Sequence, residues 1–393
     1  MGGDFTENSR LAGLFELADL EVTETSITRR GEGASSPELN AALMEASLEG
    51  DTEVVDLLLE SGADIEAQNG TGDTSLIVAA YEGRLGVAQR LIEKGADINA
   101  MSDYGNTPLL RAAYRGHAHI VDLLLKRGAD PRTRNRYGNT ALVEACLGGH
   151  GDVAKVLLDH GADMEERDND GTTPLIAAAS LGHREVVKLL LAGGASENAK
   201  NYFGNTALIV AARGGYTRVV ELLLDARSDV EARDNRGNTA MTVAARGGYA
   251  EVVERLVSIG ADLEVRDKSG NTPLMRAAYK GHTEVVRRLL DAGASVHASD
   301  GRNGLSVLMK ACFKGHVKIV KMLLDKDVDV NERDRSGHTA LMVAVYRDHP
   351  RIVEALLEHG ADAYIKDASG KSALMYSKSA QVDKLLQDAV EML

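Results

Sequence analysis

The chain contains no tryptophan, and only 4% of its 393 residues are aromatic. It has two cysteines, Cys146 and Cys312, and no apolar run approaching the ~18 residues needed to span a bilayer. Its start, Met1-Gly2-Gly3-Asp4-Phe5-Thr6-Glu7, lacks the basic and apolar regions of a secretory signal. It also lacks a net positive charge. A formal net charge of -14 argues against bulk binding of nucleic acid or anionic membrane, since both need a basic footprint. There is no Gly-rich phosphate loop between a strand and a helix, no nucleophile motif and no His/Cys cluster with metal spacing. The expectation is a non-enzyme with no cofactor and no metal.

What the chain has is a period. A turn glycine recurs at Gly72, Gly105, Gly138, Gly171, Gly204, Gly237, Gly270, Gly304, Gly337 and Gly370, always 33 residues apart except for 34 between Gly270 and Gly304. Such self-similarity means a solenoid of stacked units and overrides a length-based guess of several globular domains. The two cysteines share one slot, five repeats apart, so a stacked array keeps them from pairing. They read as small core residues in a reducing compartment, the cytoplasm or the nucleus.

Residues 102–134 show the unit. Thr107-Pro108 starts a helix, the threonine capping free amides and the proline sitting where no amide is needed. Leu109, Ala112 and Ala113 form a buried face, and Gly116-His117 ends the helix. A second helix from about Ala118 carries an apolar stripe, Ile120, Val121, Leu123 and Leu124, and Gly128 supplies a left-handed cap. An extended stretch then leads to the turn at Tyr137-Gly138. One such unit cannot bury its apolar face alone, so neighbours must stack.

These residues resemble the ankyrin repeat. The pattern G-x-T-P-L-x-x-A-A-x-x-G-H-x-x-x-V-x-x-L-L-x-x-G-A-D is nearly complete at Thr107-Pro108-Leu109, Thr173-Pro174-Leu175 and Thr272-Pro273-Leu274, and weaker copies extend it over residues 37–393. The resemblance implies an all-α ankyrin-repeat solenoid of antiparallel helix pairs with protruding β-hairpin tips. It predicts an acidic extension and linker over 1–36, a capping repeat over 37–68, nine repeats over 69–366 and a truncated cap over 367–393. The family's usual histidine after Thr-Pro-Leu is replaced by Ile77, Leu110, Val143, Ile176, Ile209, Thr242, Met275, Met309, Met342 and Met375, so its hydrogen bond between repeats is expected to be absent and the methionines to fill the core. Arg227 and Asp327 stand where a cap glycine is usual; left-handed backbone there costs on the order of 1 kcal/mol each. The 34-residue copy, Asp300-Gly301-Arg302-Asn303-Gly304, should displace its hairpin tip.

In residues 1–36, Leu11, Leu14, Phe15 and Ala18 lie at helical spacing, reading as a cap helix, a tail or a docking peptide, followed by a linker over 23–36. Met1-Gly2 fits the loose acylation pattern, but no basic cluster follows. The recurring His117, His150, His183, His282 and His316 read as turn residues. The run Asp168-Asn169-Asp170-Gly171 has part of a calcium loop but no later Glu in register, and the resemblance permits hydroxylation of Asn99 and Asn331.

By the same resemblance, the first helices line a concave face. Its exposed slots hold nine basic residues (Arg111, Arg115, Arg213, Arg246, Arg276, Lys280, Lys310, Lys314, Arg347) against four acidic ones (Glu45, Glu49, Glu82, Glu144). Aromatics lie among them: Tyr81, Tyr114, Tyr279, Phe313 and Tyr346. The pairs Arg111/Tyr114, Arg276/Tyr279 and Lys310/Phe313 are three apart on one helix and share a face. Charge beside a flat apolar platform suits an extended acidic or phosphorylated segment of another protein. The expected site is therefore Tyr81, Arg111, Tyr114, Arg213, Arg246, Arg276, Tyr279, Lys310, Phe313 and Tyr346 on a monomeric scaffold or adaptor. The rival reading is a regulatory or inhibitory subunit that covers an enzyme with the hairpin tips Tyr104, Tyr137, Tyr202 and Phe203. A third stacks nucleotide or single-stranded nucleic acid on the aromatics.

Overall fold

The computed structural model describes residues 20–23, 26–29 and 36–391. The segment Leu11–Ala18 and the acylation pattern at Gly2 lie outside them. Part of the stretch read as a linker forms a short antiparallel hairpin, β1 (Leu20–Thr23) with β2 (Ser26–Arg29), in which Val22 pairs in register with Ile27. The remainder is helix pairs.

Up to Ser196, the chain forms one compact unit with five pairs: α1 (Pro37–Glu49) and α2 (Thr52–Glu60), α3 (Ser75–Glu82) and α4 (Leu85–Glu93), α5 (Pro108–Arg115) and α6 (Ala118–Lys126), α7 (Ala141–Gly148) and α8 (Gly151–Asp159), α9 (Pro174–Leu181) and α10 (Arg184–Ala192). From Glu197 a second unit holds α11 (Ala207–Gly214) and α12 (Thr217–Asp225), α13 (Ala240–Gly247) and α14 (Ala250–Ser258), α15 (Pro273–Lys280) and α16 (Thr283–Asp291), α17 (Val307–Lys314) and α18 (Val317–Leu324), α19 (Ala340–Tyr346) and α20 (Pro350–Glu358), then a 3-10 turn (Ala373–Tyr376) and α21 (Ala380–Glu391). Within each unit, first helices pack on first helices and second on second.

The helix ends follow from the repeated sequence. Thr107 Oγ1 accepts from the amide of Leu110, and Thr173 and Thr272 act likewise on Ile176 and Met275. The first helix closes on a left-handed glycine. At Gly116, φ is +84°, and a Cβ would stand 2.5 Å from the His150 ring, so both backbone and packing require glycine. Asp348 fills this slot in the α19 repeat with φ 55°, tied down by Ser379 Oγ donating to its carboxylate at 2.6 Å. Arg227 is left-handed as expected (φ 64°), but Asp327 is not, because α18 ends a residue earlier than its counterparts.

The core is a row of small and branched residues. Leu109, Ala112, Ala113, Ile120, Val121 and Leu124 are buried, with Leu123 half-buried. Met275, Met309 and Met342 fill the core, whereas Met375 is 65% exposed. Its helix has shrunk to a 3-10 turn, which rotates that side chain outward. A hydrogen bond between repeats is made nonetheless, by the histidine that follows the turn glycine of the first helix. His117 Nε2 lies 2.9 Å from the Tyr81 carbonyl, and His150 and His316 reach the carbonyls of Tyr114 (2.9 Å) and Tyr279 (3.2 Å). This geometry requires the Nε2–H tautomer.

A second rail joins neighbouring loops. Asn99 Oδ1 accepts from Asp130 N at 3.1 Å and Asn331 Oδ1 from Asp362 N at 2.8 Å, a role that Glu66, Glu165, Glu231 and Glu264 also play. At the hairpins, Arg136 N donates to Tyr104 O, Asn235 N to Phe203 O, and Lys268 N to Arg236 O. The extra residue of the 34-residue copy stretches its turn: Asp300 N bonds Leu305 O, one residue further on than the Asp267–Asn271 equivalent. Among the described residues, no corresponding bond joins residue 301 to Ser269.

Candidate functional site

The last turn of each first helix sets the site. At Tyr81, Tyr114 and Tyr279 the carbonyl of the aromatic there is held by the histidine of the next repeat. In the second unit these rings form a succession. Tyr279 and Phe313 stack with centroids 6.5 Å apart at 15°, and Tyr346 meets Tyr376 edge-on at 6.2 Å. Each ring is covered by a cation from the next repeat: Lys314 Nζ over Tyr279 (4.7 Å), Arg347 Cζ over Phe313 (4.0 Å) and Lys378 Nζ over Tyr346 (3.7 Å). Arg347 Nε also donates to Phe313 O, and Lys378 Nζ to Tyr346 O. The result is a stair of aromatic and cation offset by one repeat.

The expected pairing of Arg276 with Tyr279 and Lys310 with Phe313 on one helix is corrected: the cations one turn earlier point to hairpin carboxylates instead. Lys310 Nζ donates to Asp300 Oδ2 at 2.7 Å, with both residues 8% exposed. Arg276 makes a forked pair with Asp267, and Arg213 Nη2 lies 3.3 Å from Asp234 Oδ2 and 2.7 Å from Asn205 Oδ1. Burial alone would push the Asp267 and Asp300 carboxyls up. The hydrogen bonds from Arg276 and Lys310, with backbone amides, outweigh it and hold both below the usual carboxylate range. All three cations are already paired with carboxylates of the scaffold. Arg246 has no carboxylate partner among the described residues and is half-buried.

The first unit is sparser. Arg111 Cζ (5.2 Å) and Arg115 Cζ (4.8 Å) both lie over Tyr81, and Arg111 Nη2 is 3.9 Å from Asp73. Tyr114 is exposed and carries no cation among the described residues. In the next repeat the slot of Arg111 holds Glu144, which accepts from Asn135 (2.7 Å) and Asn139 (2.9 Å); burial raises its pKa. The tips are the most exposed aromatics on these elements: Tyr137 at 64%, Tyr202 at 68% and Phe203 at 54%, with Tyr104 partly covered by Arg136 at 5.7 Å.

A cleft of about 300 Å³ opens beside the stair, walled by Phe313, Met342, Val343, Tyr346, Tyr376 and Leu305. Its polar end is His338, whose Nδ1 is 3.2 Å from Asp334 and Nε2 3.6 Å from Asp367. Tyr376 Oη donates to Asp367, which lowers that carboxyl far below its usual range and raises the phenol. Tyr376, Lys378 and His338 were not foreseen. Tyr376 and Lys378 lie in the shortened terminal repeat, where the slot pattern no longer maps, and His338 follows the turn glycine Gly337 in a slot outside those read as the site. Asp168 Oδ1 closes its own turn by accepting from Asp170 and Thr172 amides, and no group of three or more metal-ligating side chains occurs among the described residues.

Paired helices, a hairpin rail and an exposed aromatic–cation face define a stacked interaction array. The sequence matches the family described as ankyrin repeats (three copies) in overlapping windows at 43–135, 127–201, 161–234, 193–267, 219–300, 245–334, 296–367 and 327–393, and the chain belongs to that family. Among solved structures it is similar to the ankyrin repeat domain of Bcl-3, described as a unique member of the IkappaB protein family. The identity is 31%, the TM-score 0.51, and the match covers 56% of this chain and 100% of that one. It is also similar to the human ASB11 ankyrin repeat domain, at 28% identity and TM-score 0.49, covering 53% of this chain and 91% of that one. A search of curated proteins returns no match. Ankyrin repeats as a class mediate protein–protein interaction. No helix among the described residues is long and apolar enough to cross a membrane.

Proposed function

We propose that this chain is a scaffold or adaptor that holds an extended acidic segment of another protein on the first-helix face of its second unit. One observation carries the reading. Lys314, Arg347 and Lys378 are exposed, stacked on Tyr279, Phe313 and Tyr346, and have no carboxylate partner among the described residues. A cation held on an aromatic is preorganised, so less side-chain freedom is lost when a carboxylate or phosphate pairs with it. Binding by such rim charges weakens with salt. Two buried thiols, Cys146 and Cys312, whose pKa burial drives up, fit a reducing compartment such as the cytoplasm.

Selection of a displayed random-peptide library on the full chain tests this. Asp- and Glu-rich sequences should be enriched, and Lys314→Glu/Arg347→Glu/Lys378→Glu should abolish that enrichment. Enrichment of basic or purely apolar peptides, or the same acidic set on the triple variant, would contradict the reading.

The tip reading keeps one supporting observation: Tyr137, Tyr202 and Phe203 are the more exposed rings. A regulatory subunit of that kind would lose its partner on Tyr137→Ala or Phe203→Ala and not on changes to the stair.

A further inference from the structure

One wall of the cleft beside the stair carries a local substitution. In the two preceding repeats the hairpin slot holds Asn238 and Asn271, both nearly buried. Asn238 spends its amide on the Asp234 carboxylate. At the next position the slot holds Leu305, which has no polar group to spend and walls an apolar cleft with Phe313, Val343, Tyr346 and Tyr376. The polar end is already satisfied. Asp334 Oδ1 accepts from the amides of Ser336 and His338, each at 2.8 Å, and the His338 ring lies between Asp334 and Asp367. A basic side chain entering the cleft would find those carboxylates engaged, and an acidic one would meet them as like charges. An uncharged apolar group meets neither objection. Two walls, Phe313 and Tyr346, carry the free cations Arg347 and Lys378.

We infer that this cleft is an anchor pocket for one aliphatic side chain of the partner, flanked in the partner's sequence by acidic residues that pair with Arg347 and Lys378. The inference rests on the acidic-segment reading and adds its specificity: a partner is chosen by acidic–aliphatic–acidic order and not by net charge alone. At about 300 Å³ the cleft lies at the small end of ligand pockets, sized for a side chain rather than a folded surface.

Two fluorescein-labelled nonapeptides on the full chain test it by anisotropy at low salt: nine glutamates, and the same peptide with leucine at the fifth position. The leucine peptide should bind about tenfold more tightly despite losing one charge. Leu305→Asn, which restores the residue of the two preceding repeats, should remove most of that gain and leave the all-glutamate affinity unchanged. Val343→Tyr, which fills the cleft, should do the same, with circular dichroism confirming its fold. Equal affinity for both peptides, or a leucine gain that survives Leu305→Asn, overturns the anchor and leaves the acidic-segment reading standing. Binding of neither peptide overturns both. A Leu305-dependent dimer in analytical ultracentrifugation assigns the cleft to a second copy of the chain and overturns the inference.

Discussion

Two sets of cations lie on the first-helix side of the second unit, one within the helices and one at or beyond their C-terminal ends, and they differ in everything except residue type. The inner row, Arg276 and Lys310, is joined to Asp267 and Asp300 and is partly or wholly buried; Arg213, in the last turn of α11, pairs instead with Asp234 of the next hairpin. The outer row, Lys314, Arg347 and Lys378, lies over rings in solvent. What separates them is reach. Asp267 and Asp300 reach the middle of the helix that follows each of them, and among the described residues no carboxylate pairs with Lys314, Arg347 or Lys378, so the inner cation joins hairpin to helix while the outer one is left available. Positive charge on a repeat surface is therefore not by itself an indication of binding; the test is whether the scaffold already supplies the counter-charge.

The comparison can be broken most forcefully at Lys310. Lys310→Met leaves Asp300 buried without its partner and should destabilise the second unit by about 3 kcal/mol, read as a lower urea midpoint. Adding Asp300→Asn should recover much of the loss. Next in size, Lys314→Glu/Arg347→Glu/Lys378→Glu should weaken acidic-peptide binding at least tenfold at low salt and flatten its salt dependence, with the urea midpoint nearly unmoved, since exposed charges contribute little to stability.

Acidification separates the carboxyl groups by sign. Asp267 and Asp300 have folded pKa values held below the unfolded value, so their contribution is present above pH ~4 and is lost as pH falls through the folded value. Glu144 has its pKa raised by burial, so its folded form prefers the proton and stability falls as pH rises past the unfolded value. Glu144→Gln, which keeps an acceptor for Asn135 and Asn139, should therefore stabilise the first unit at pH 7 but not at pH 4, by thermal denaturation. The smallest effect is expected at Arg227. Arg227→Gly relieves a left-handed non-glycine and should stabilise by up to about 1 kcal/mol, offset in part by glycine's unfolded-state entropy.

Most of the fold was legible, because caps, turn glycines and apolar stripes are local signals repeated many times. Thr107, Gly116 and Leu124 behave as their positions require. The site was legible only in part. The aromatics Tyr279, Phe313 and Tyr346 are where the slots put them, but their cation partners come from the following repeat. That contact depends on the stacking offset between repeats and not on spacing within a helix. The inner-row pairs were hidden for a related reason: Lys310 and Asp300 are ten residues apart, at a distance set by a hairpin whose length varies. Met375 was misplaced because a 3-10 turn breaks the register on which the methionine ladder was read.

The most direct test measures Lys310→Met and Lys314→Met side by side, each by urea unfolding and by anisotropy with the leucine-centred acidic peptide. The first should lower the unfolding midpoint and leave the affinity of the folded protein within about twofold, and the second should weaken binding several-fold with its midpoint unchanged. If Lys310→Met abolished binding at an unaltered midpoint, or Lys314→Met bound as well as the unmodified chain, the division of labour between the two rows would be contradicted.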